Sequence, residues 1–580
     1  MEEIRIGVYV CWCGTNIAKM VDVEDVAKEM SKLKHVVLAK DYKYMCSDPG
    51  QDMIIQDIKE HNLNRIVVSA CSPRMHELTF RKALENAGLN PYMFEMVNIR
   101  EQVSWVHSSR SEATKKAKAL IAGAINRVYW HSSLDKRSVE IDPTTLVIGG
   151  GIAGLSASLK IANAGINVFL IEKETVLGGM LKNIDLSFPH FQGANELIKK
   201  IVNRVANHPN IKAFTSSQIK EIFGYVGNFE AQILSKDKEE LIKFGSVIVA
   251  TGLKTFDPTP LTNYGYGKLK NVITSLEFEK MLSQGNVLTS DGSEPNHIAF
   301  IHCVGSRNQD YHPYCSRVCC NTALKQAKQA KMAIPSAQVY NLYADMRSIG
   351  KDNEEFYANS FNRDHMFLMF DQQKALPLIK SASPKDNCNL IIEIDELLSG
   401  ESLEVPADMV VLMVAMEAQH NAKEIAHATG ISMCGNDFYI ERHPKLDPFA
   451  TTTAGVFLAG TCQSPKDIPD SVTQANAAAA RILAAIKKGS AEVEVTTAEV
   501  NEELCCGCQT CVKVCPYTAI HFDPDKKVSV VNQILCKGCG TCGSSCPTGA
   551  IKCHHYTDQQ ILSQIEGLMQ MSYELEEDLL

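Results

Sequence analysis

The chain has 580 residues, enough for several domains, with 58 basic against 67 acidic side chains and a net charge of −9. That balance excludes a nucleic-acid binder resting on a basic surface. Cysteine is the outlier, with 21 residues in a chain that reads as cytoplasmic, where disulfides are rare, so metal ligation is the first expectation.

No signal peptide is expected, because the first five residues run straight into a strand. The apolar stretch 146–159 is too short and Gly-rich to span a membrane, and Lys160 follows it. Residues 1–140 read as a small α/β domain. Strands are predicted at 5–10, 36–39 and 65–69, with helices at 23–33, 52–60, 79–87 and 112–130, before a linker at 135–142. In a parallel sheet, groups that follow the carboxyl ends of strands collect on one edge. Cys11 and Cys13 follow the first strand, Cys46 trails the second and Cys71 follows the third. Four thiols are thus placed to converge. Cys-x-Cys with two distant partners is not a compact cluster signature, however, and buried structural thiols are the alternative.

The stretch Val147-Ile148-Gly149-Gly150-Gly151-Ile152-Ala153-Gly154 joins a predicted strand, 144–148, to a helix, 152–164. A second strand, 167–171, ends at Glu172-Lys173. Gly149, Gly151 and Gly154 suit the tight turn, the approach to a pyrophosphate and the helix–strand packing of an adenine-dinucleotide fingerprint. Phosphates would rest on the free N–H groups of the helix start, at Ile152 and Ala153, with Glu172 facing a ribose. Gly178-Gly179-Met180 reads as a turn lying close over a cofactor, or else as an ordinary loop. A strand ends in Ala250-Thr251-Gly252, and a late one in Gly460-Thr461 before a helix at 471–486. In this order the elements resemble the two-dinucleotide-binding flavoproteins of the thioredoxin-reductase type, over residues 143–490. The resemblance implies FAD at the fingerprint, with the late glycine turn near the flavin.

Where such reductases carry a second glycine triplet for a nicotinamide nucleotide, this chain has His297-Ile298-Ala299-Phe300-Ile301-His302-Cys303-Val304-Gly305-Ser306. The strand is there and the triplet is not. Cys303, Cys315, Cys319 and Cys320 follow, a set able to hold a cluster on that site; surplus core thiols are the alternative. Residues 405–416 read as one buried strand. Near the C-terminus the signal is strongest. Cys505, Cys508, Cys511 and Cys515-Pro516 are followed by Cys536, Cys539, Cys542 and Cys546-Pro547, the pattern of a two-cluster bacterial ferredoxin. The fourth cysteine of each run crosses, so Cys546 joins the first three and Cys515 joins Cys536, Cys539 and Cys542. A zinc ribbon would use paired Cys-x2-Cys knuckles instead.

Together with Cys11-Trp12-Cys13-Gly14, Asp41-Tyr42-Lys43-Tyr44-Met45-Cys46-Ser47 and Ala70-Cys71-Ser72-Pro73-Arg74, these motifs resemble the HdrA family, the flavin-containing iron–sulfur component of heterodisulfide reductase, over essentially the whole chain. The family implies 4Fe–4S clusters on the N-terminal four cysteines and on the Cys303–Cys320 group, up to four in total. Lys325 matches a lysine near the flavin ring, where a cation stabilises reduced, anionic flavin; a surface lysine is the alternative. The implied architecture is α/β throughout. It has an N-terminal iron–sulfur domain (1–140), a two-lobed, thioredoxin-reductase-like FAD domain with the inserted cysteine site (141–495), a ferredoxin domain (496–556) and a polar, acidic tail (557–580). The tail reads as a docking helix or as solvated chain.

The implied function is an electron-bifurcating or confurcating component, splitting electron pairs between a ferredoxin-level acceptor and a partner reductase made of the B and C subunits of heterodisulfide reductase. An electron-input protein would complete it: a 2Fe–2S MvhD-like protein, a hydrogenase, a formate dehydrogenase or an NADH-oxidising module. A homodimer within a larger complex is expected, without nucleic acid. The chain departs from longer relatives in lacking an additional ferredoxin-like insert between the flavin motifs. A non-bifurcating relay to a quinone-linked or acyl-CoA-reducing complex is the runner-up, and a scaffold that merely docks partners is the third reading.

Overall fold

The computed structural model describes residues 3–235, 238–361, 365–383, 387–445, 447–493 and 495–577. They divide into two compact units, residues 1–139 with 492–580, and residues 140–491. Among the described residues no helix is long and apolar enough to cross a membrane.

The first unit holds a four-stranded parallel sheet, in the order β2 (Val36–Tyr42), β1 (Ile6–Cys11), β3 (Arg65–Ala70), β4 (Phe94–Asn98). β1 and β3 are buried along their whole length, which is why they read as continuous apolar runs rather than as alternation. Helices Asp48–Glu60 and Pro73–Asn86 each carry proline in the first turn, where the missing N–H costs nothing. They start several residues before the positions predicted for them. β4 and the turn after it had no prediction. The linker expected at 135–142 contains a short strand, Arg137–Glu140.

The tail is not solvated chain. Asp558–Glu577 is a helix laid along Arg110–Tyr129, its last described turn ending short of residues 578–580, which lie outside the described ones. Gln560, Ser563, Gly567 and Met571 are its buried face, and Met571 joins the core of Ile121, Ile125 and Val128. A Cβ on Gly567 would stand 2.6 Å from Ala122 O, and one on Gly123 2.9 Å from Gln564 O. Two glycines therefore let the helix backbones touch. Gly567→Leu gains ~0.8 kcal/mol in helix propensity but must part the helices, a cost of about 1–3 kcal/mol or more. A lower urea midpoint for the first unit is expected, and an unchanged midpoint would contradict the close approach.

Between these helices in sequence, but within the same unit, the ferredoxin segment pairs Ala498–Val500 with Ile551–Cys553 and Ile520–Asp523 with Val528–Val531. Short helices Thr510–Val514 and Thr541–Ser544 carry the third cysteine of each run, Cys511 and Cys542.

The second unit is built twice over. One lobe has a five-stranded parallel sheet, in the order Ile211–Phe214, Val168–Ile171, Thr145–Ile148, Ser246–Val249, Val456–Leu458, with a three-stranded antiparallel meander over 217–244. The other repeats this with Val272–Thr274, Met409–Val414, His297–Val304, Gln338–Tyr343 and His365–Met369, and a meander of Leu378–Ser381, Leu390–Asp395 and Ser402–Ala407. The single strand expected at 405–416 is thus two strands in different sheets. Asp408 makes the break: its carboxylate, almost wholly buried, accepts from the backbone N–H groups of Asn296 (2.8 Å), His297 (3.0 Å) and Asn389 (3.2 Å). Three donors fix the corner where the chain leaves the meander for the parallel sheet.

Candidate functional site

The glycine fingerprint folds into a cradle that side chains would fill. Gly149 has φ +111°, and a Cβ there would lie 2.3 Å from Ala250 O. A Cβ on Gly154 would lie 1.9 Å from Gly149 O. The helix Ile152–Ala162 begins with no side-chain cap, leaving the first N–H groups, at Ile152 and Ala153, for an anion. Gly178 (φ +120°) donates its N–H to Gly150 O at 2.8 Å. A Cβ on Gly179 would stand 2.8 Å from Gly151 Cα, so this turn lies directly over the fingerprint. Gly460 (φ +80°) approaches from the other side, where its Cβ would meet that of Ala153 at 2.8 Å. Ala250-Thr251-Gly252 leaves its strand beside Gly149, with Gly252 at φ +76°.

Three residues behave differently from the expectation. Glu172 is buried and accepts from Gly150 N (2.6 Å) and Glu174 N (2.9 Å), so it braces the glycine turn. The exposed Lys173 donates to Gln419 Oε1 at 3.0 Å, and Met180 Sδ accepts from Asn183. The crowded glycines fit a dinucleotide whose phosphates need bare backbone.

Lys325 is not a surface lysine. It is buried, and its Nζ donates to Glu279 Oε1 (2.6 Å) and Leu186 O (2.9 Å). Burial holds its pKa below the usual lysine value, against the opposing charge of Glu279. Glu279 also accepts from Gln326 Nε2 (2.7 Å) and Asp185 N (3.1 Å). Sequence reading missed Glu279. Its one signal is an acid beside Phe278 on the inner face of the helix Ser275–Ser283.

Cys303 ends the strand His297–Val304 at φ +59°, at a register shift against Met409–Val414. Cys319 and Cys320 open the helix Cys319–Ala333, and Cys315 Sγ accepts from Arg317 N at 3.3 Å. Burial first, then the charge of Cys320, pushes the Cys303 thiol up to about 12, and Cys319 and Cys320 are raised as well, mainly by burial. Cys319 feels the charges of Cys303, Cys320 and Cys315, Cys303 those of Cys320 and Cys315, and Cys320 that of Cys315. Without a metal such thiols stay protonated; a metal that displaces four protons suits the donor set. A polar cleft of about 290 Å³ opens beside Cys315, lined by Arg307, Arg347 and Gln372 among others.

In the first unit Cys11, Cys13, Cys46 and Cys71 gather where β1, β2 and β3 end. Cys11 Sγ accepts from Cys13 N (3.3 Å) and Met45 N (3.4 Å), bonds that favour a thiolate ligand. Burial raises Cys71 to about 12; the charge of Arg100 opposes it, while Cys13, Cys11 and Cys46 add to it. Cys511, Cys536 and Cys542 are buried in a small core with Ala519, Ile520 and Ile551, against which Cys515 and Cys546 pack. One enclosed apolar pocket there is lined by Cys536, Cys539 and Cys542 together with Cys515 from the other run. Cys536 accepts from Ala498 N and Gly538 N, and Cys515 from Ala519 N, at 3.3–3.4 Å. Of the cysteines left unassigned, Cys462 is buried and donates to Val249 O.

Two family models match, pyridine nucleotide-disulphide oxidoreductase over residues 143–294 and the 4Fe-4S dicluster domain over residues 504–550. The chain is 38% identical to an iron-sulfur HdrA component of CoB--CoM heterodisulfide reductase from Methanopyrus kandleri, covering 100% of this chain and 99% of that one. It is 37% identical to the corresponding component of the H(2)/formate:CoB-CoM heterodisulfide,ferredoxin reductase of Methanococcus maripaludis, over 100% of both. Among solved structures, T. acidophilum thioredoxin reductase is similar over 60% of this chain and 100% of its own, at 16% identity and a TM-score of 0.41. With identity of this extent running from the N-terminal cysteines through the nucleotide cradle to the paired ferredoxin runs, the chain belongs to the HdrA family of heterodisulfide reductase components, oxidoreductase proteins that carry FAD and 4Fe–4S clusters.

Proposed function

We propose that this protein is the electron-bifurcating or confurcating component of a heterodisulfide reductase-like complex. It would divide electron pairs between a ferredoxin-level acceptor and a partner reductase of the B and C type. One observation carries the reading: the strand that would serve a nicotinamide nucleotide, His297–Val304, ends instead in the first of four gathered cysteines. Electrons are therefore exchanged through metal sites and not with a bound nicotinamide. Relatives named for H2, formate, F420H2 and ferredoxin support a variable electron-input protein, with ferredoxin as a further partner. A homodimer within a larger cytoplasmic complex belongs to the same proposal.

FAD, when bound, supplies the change from paired to single electrons. The chain's own residues do the rest. Gly149, Gly151, Gly154, Gly178, Gly179 and Gly460 shape the cradle, Ala250-Thr251-Gly252 closes its strand side, and Ile152 and Ala153 present N–H groups to the phosphates. Glu172 braces the turn. Lys325, fixed by Glu279, offers a cation toward the flavin side. The Cys303 and N-terminal sets each hold a cluster beyond the two on the ferredoxin cysteines.

Strictly anaerobic preparation is expected to give about 16 irons per FAD, from four cubanes of four irons each. Redox titration then decides between readings: bifurcation requires the second one-electron potential of the flavin to lie above the first, whereas a simple relay shows the ordinary order. About eight irons would remove the two upstream clusters from the proposal.

A further inference from the structure

After β4 the chain makes a single π-turn, Arg100–Ser104, in which Ser104 N donates to Ile99 O (3.1 Å) and Trp105 N to Arg100 O (2.9 Å). Such turns are rare and concentrate at functional sites. In an α-turn, residues five apart point to different sides. Here the Arg100 guanidinium carbon lies 4.9 Å from the centre of the Trp105 ring. The guanidinium also donates to Cys13 Sγ (3.7 Å), Met75 Sδ (2.8 Å) and Glu101 Oε1 (2.7 Å). Its side chain is 12% exposed, whereas Trp105 is 59% exposed. Withdrawing a guanidinium this far from water is unfavourable unless partners replace its hydration. Two of its three hydrogen-bond acceptors are sulfurs, weak acceptors, and the third, the Glu101 carboxylate, accepts from both Nε (3.2 Å) and Nη2 and compensates the lost hydration. The ion pair with Glu101 thus holds the cation against Cys13.

We propose that Arg100 is a positioning residue for the N-terminal iron–sulfur site, its guanidinium held by the π-turn between Trp105 and Cys13 so as to stabilise the extra negative charge the site takes up on one-electron reduction. The inference rests on the reading of Cys11, Cys13, Cys46 and Cys71 as cluster ligands. One electron enters from a reduced iron–sulfur or flavin partner, which is oxidised by one electron, and no proton need follow, because the fixed cation supplies the counter-charge. Charge and hydrogen bonds at ligand sulfur set cluster potentials, so Arg100 raises the midpoint of this site and Glu101, paired with it, limits the rise. Trp105, standing in solvent on the same turn, marks where that tuned site reaches the surface.

The test uses the full chain, prepared anaerobically, with the site's spectrum isolated as the difference between wild type and Cys71→Ser. Arg100→Gln is expected to lower its midpoint so that the reduced-to-oxidised ratio at a fixed potential drops at least tenfold, about 59 mV for one electron. Glu101→Gln is expected to raise it, and the ferredoxin potentials stay unchanged in both. An unmoved midpoint in Arg100→Gln, with the difference spectrum intact, overturns the inference. Should Arg100→Gln shed its iron, Glu101→Gln decides: a raised midpoint carries the inference and an unmoved one defeats it. Failure of the cysteine reading is a distinct result, because Cys71→Ser would then change neither iron content nor spectrum.

Discussion

Gly154→Ala is expected to bind FAD at least tenfold more weakly and to purify without flavin, while keeping its ferredoxin iron. The new Cβ would sit 1.9 Å from Gly149 O and 3.3 Å from Val147 Cγ1. No rotamer relieves a clash between a Cβ and a backbone carbonyl, so the helix Ile152–Ala162 must move off its strand. Overpacking of this kind costs about 1–3 kcal/mol, and tenfold in affinity is about 1.4 kcal/mol. The cradle loses its shape before the sheet loses its stability. Gly435→Ala is the control within the same unit, since nothing lies within 4 Å of a Cβ there. Flavin absorbance per iron reads the outcome, and one FAD per chain in Gly154→Ala would refute the account of the fingerprint.

The second large effect is expected at Lys325. Lys325→Met leaves the Glu279 carboxylate, itself 1% exposed, without a cation in a site that water does not reach. Removing one member of a buried pair costs about 3–5 kcal/mol. The double variant Lys325→Met with Glu279→Gln leaves no unpaired charge, and glutamine still accepts from Asp185 N. It is expected to recover much of the loss, so the two substitutions will be strongly non-additive. Urea denaturation of the four corners of the cycle measures this. A double variant as unstable as the sum of the singles would mean that the two side chains do not act as a pair.

The parts that were legible in the sequence are those where one residue type admits one use. Gly149, Gly151 and Gly154 follow a strand and open a helix, and at Gly149 and Gly154 only bare backbone satisfies the distances found there. The ferredoxin runs carry their ligand spacing on their face, and Cys515 lines the pocket of the other run. Legibility failed where burial was not hydrophobic. The inner face of the helix Asp558–Glu577 reads Gln560, Ser563, Gly567, Met571, which no apolar periodicity reveals, because glycine packs there by letting backbones meet. Glu279 and Asp408 are buried acids whose partners lie about 46 and 112 residues away. The run 405–416 looked continuous because both strands are apolar. A single aspartate divides them, and its effect depends on three N–H groups that sequence does not place. The π-turn at Arg100 had no signal at all: its hydrogen bonds are backbone bonds.

The pairing of the helices Arg110–Tyr129 and Asp558–Glu577 also has a consequence for biosynthesis. At roughly 5–20 residues per second, the helix at 110–129 leaves the ribosome roughly 20 to 90 seconds before its partner has been made. In that interval Ala122 and Ile121 face water or a chaperone, and the N-terminal cysteines stand in a unit that is not yet closed. The first unit thus completes this core only when the helix Asp558–Glu577 docks and Met571 joins Ile121, Ile125 and Val128.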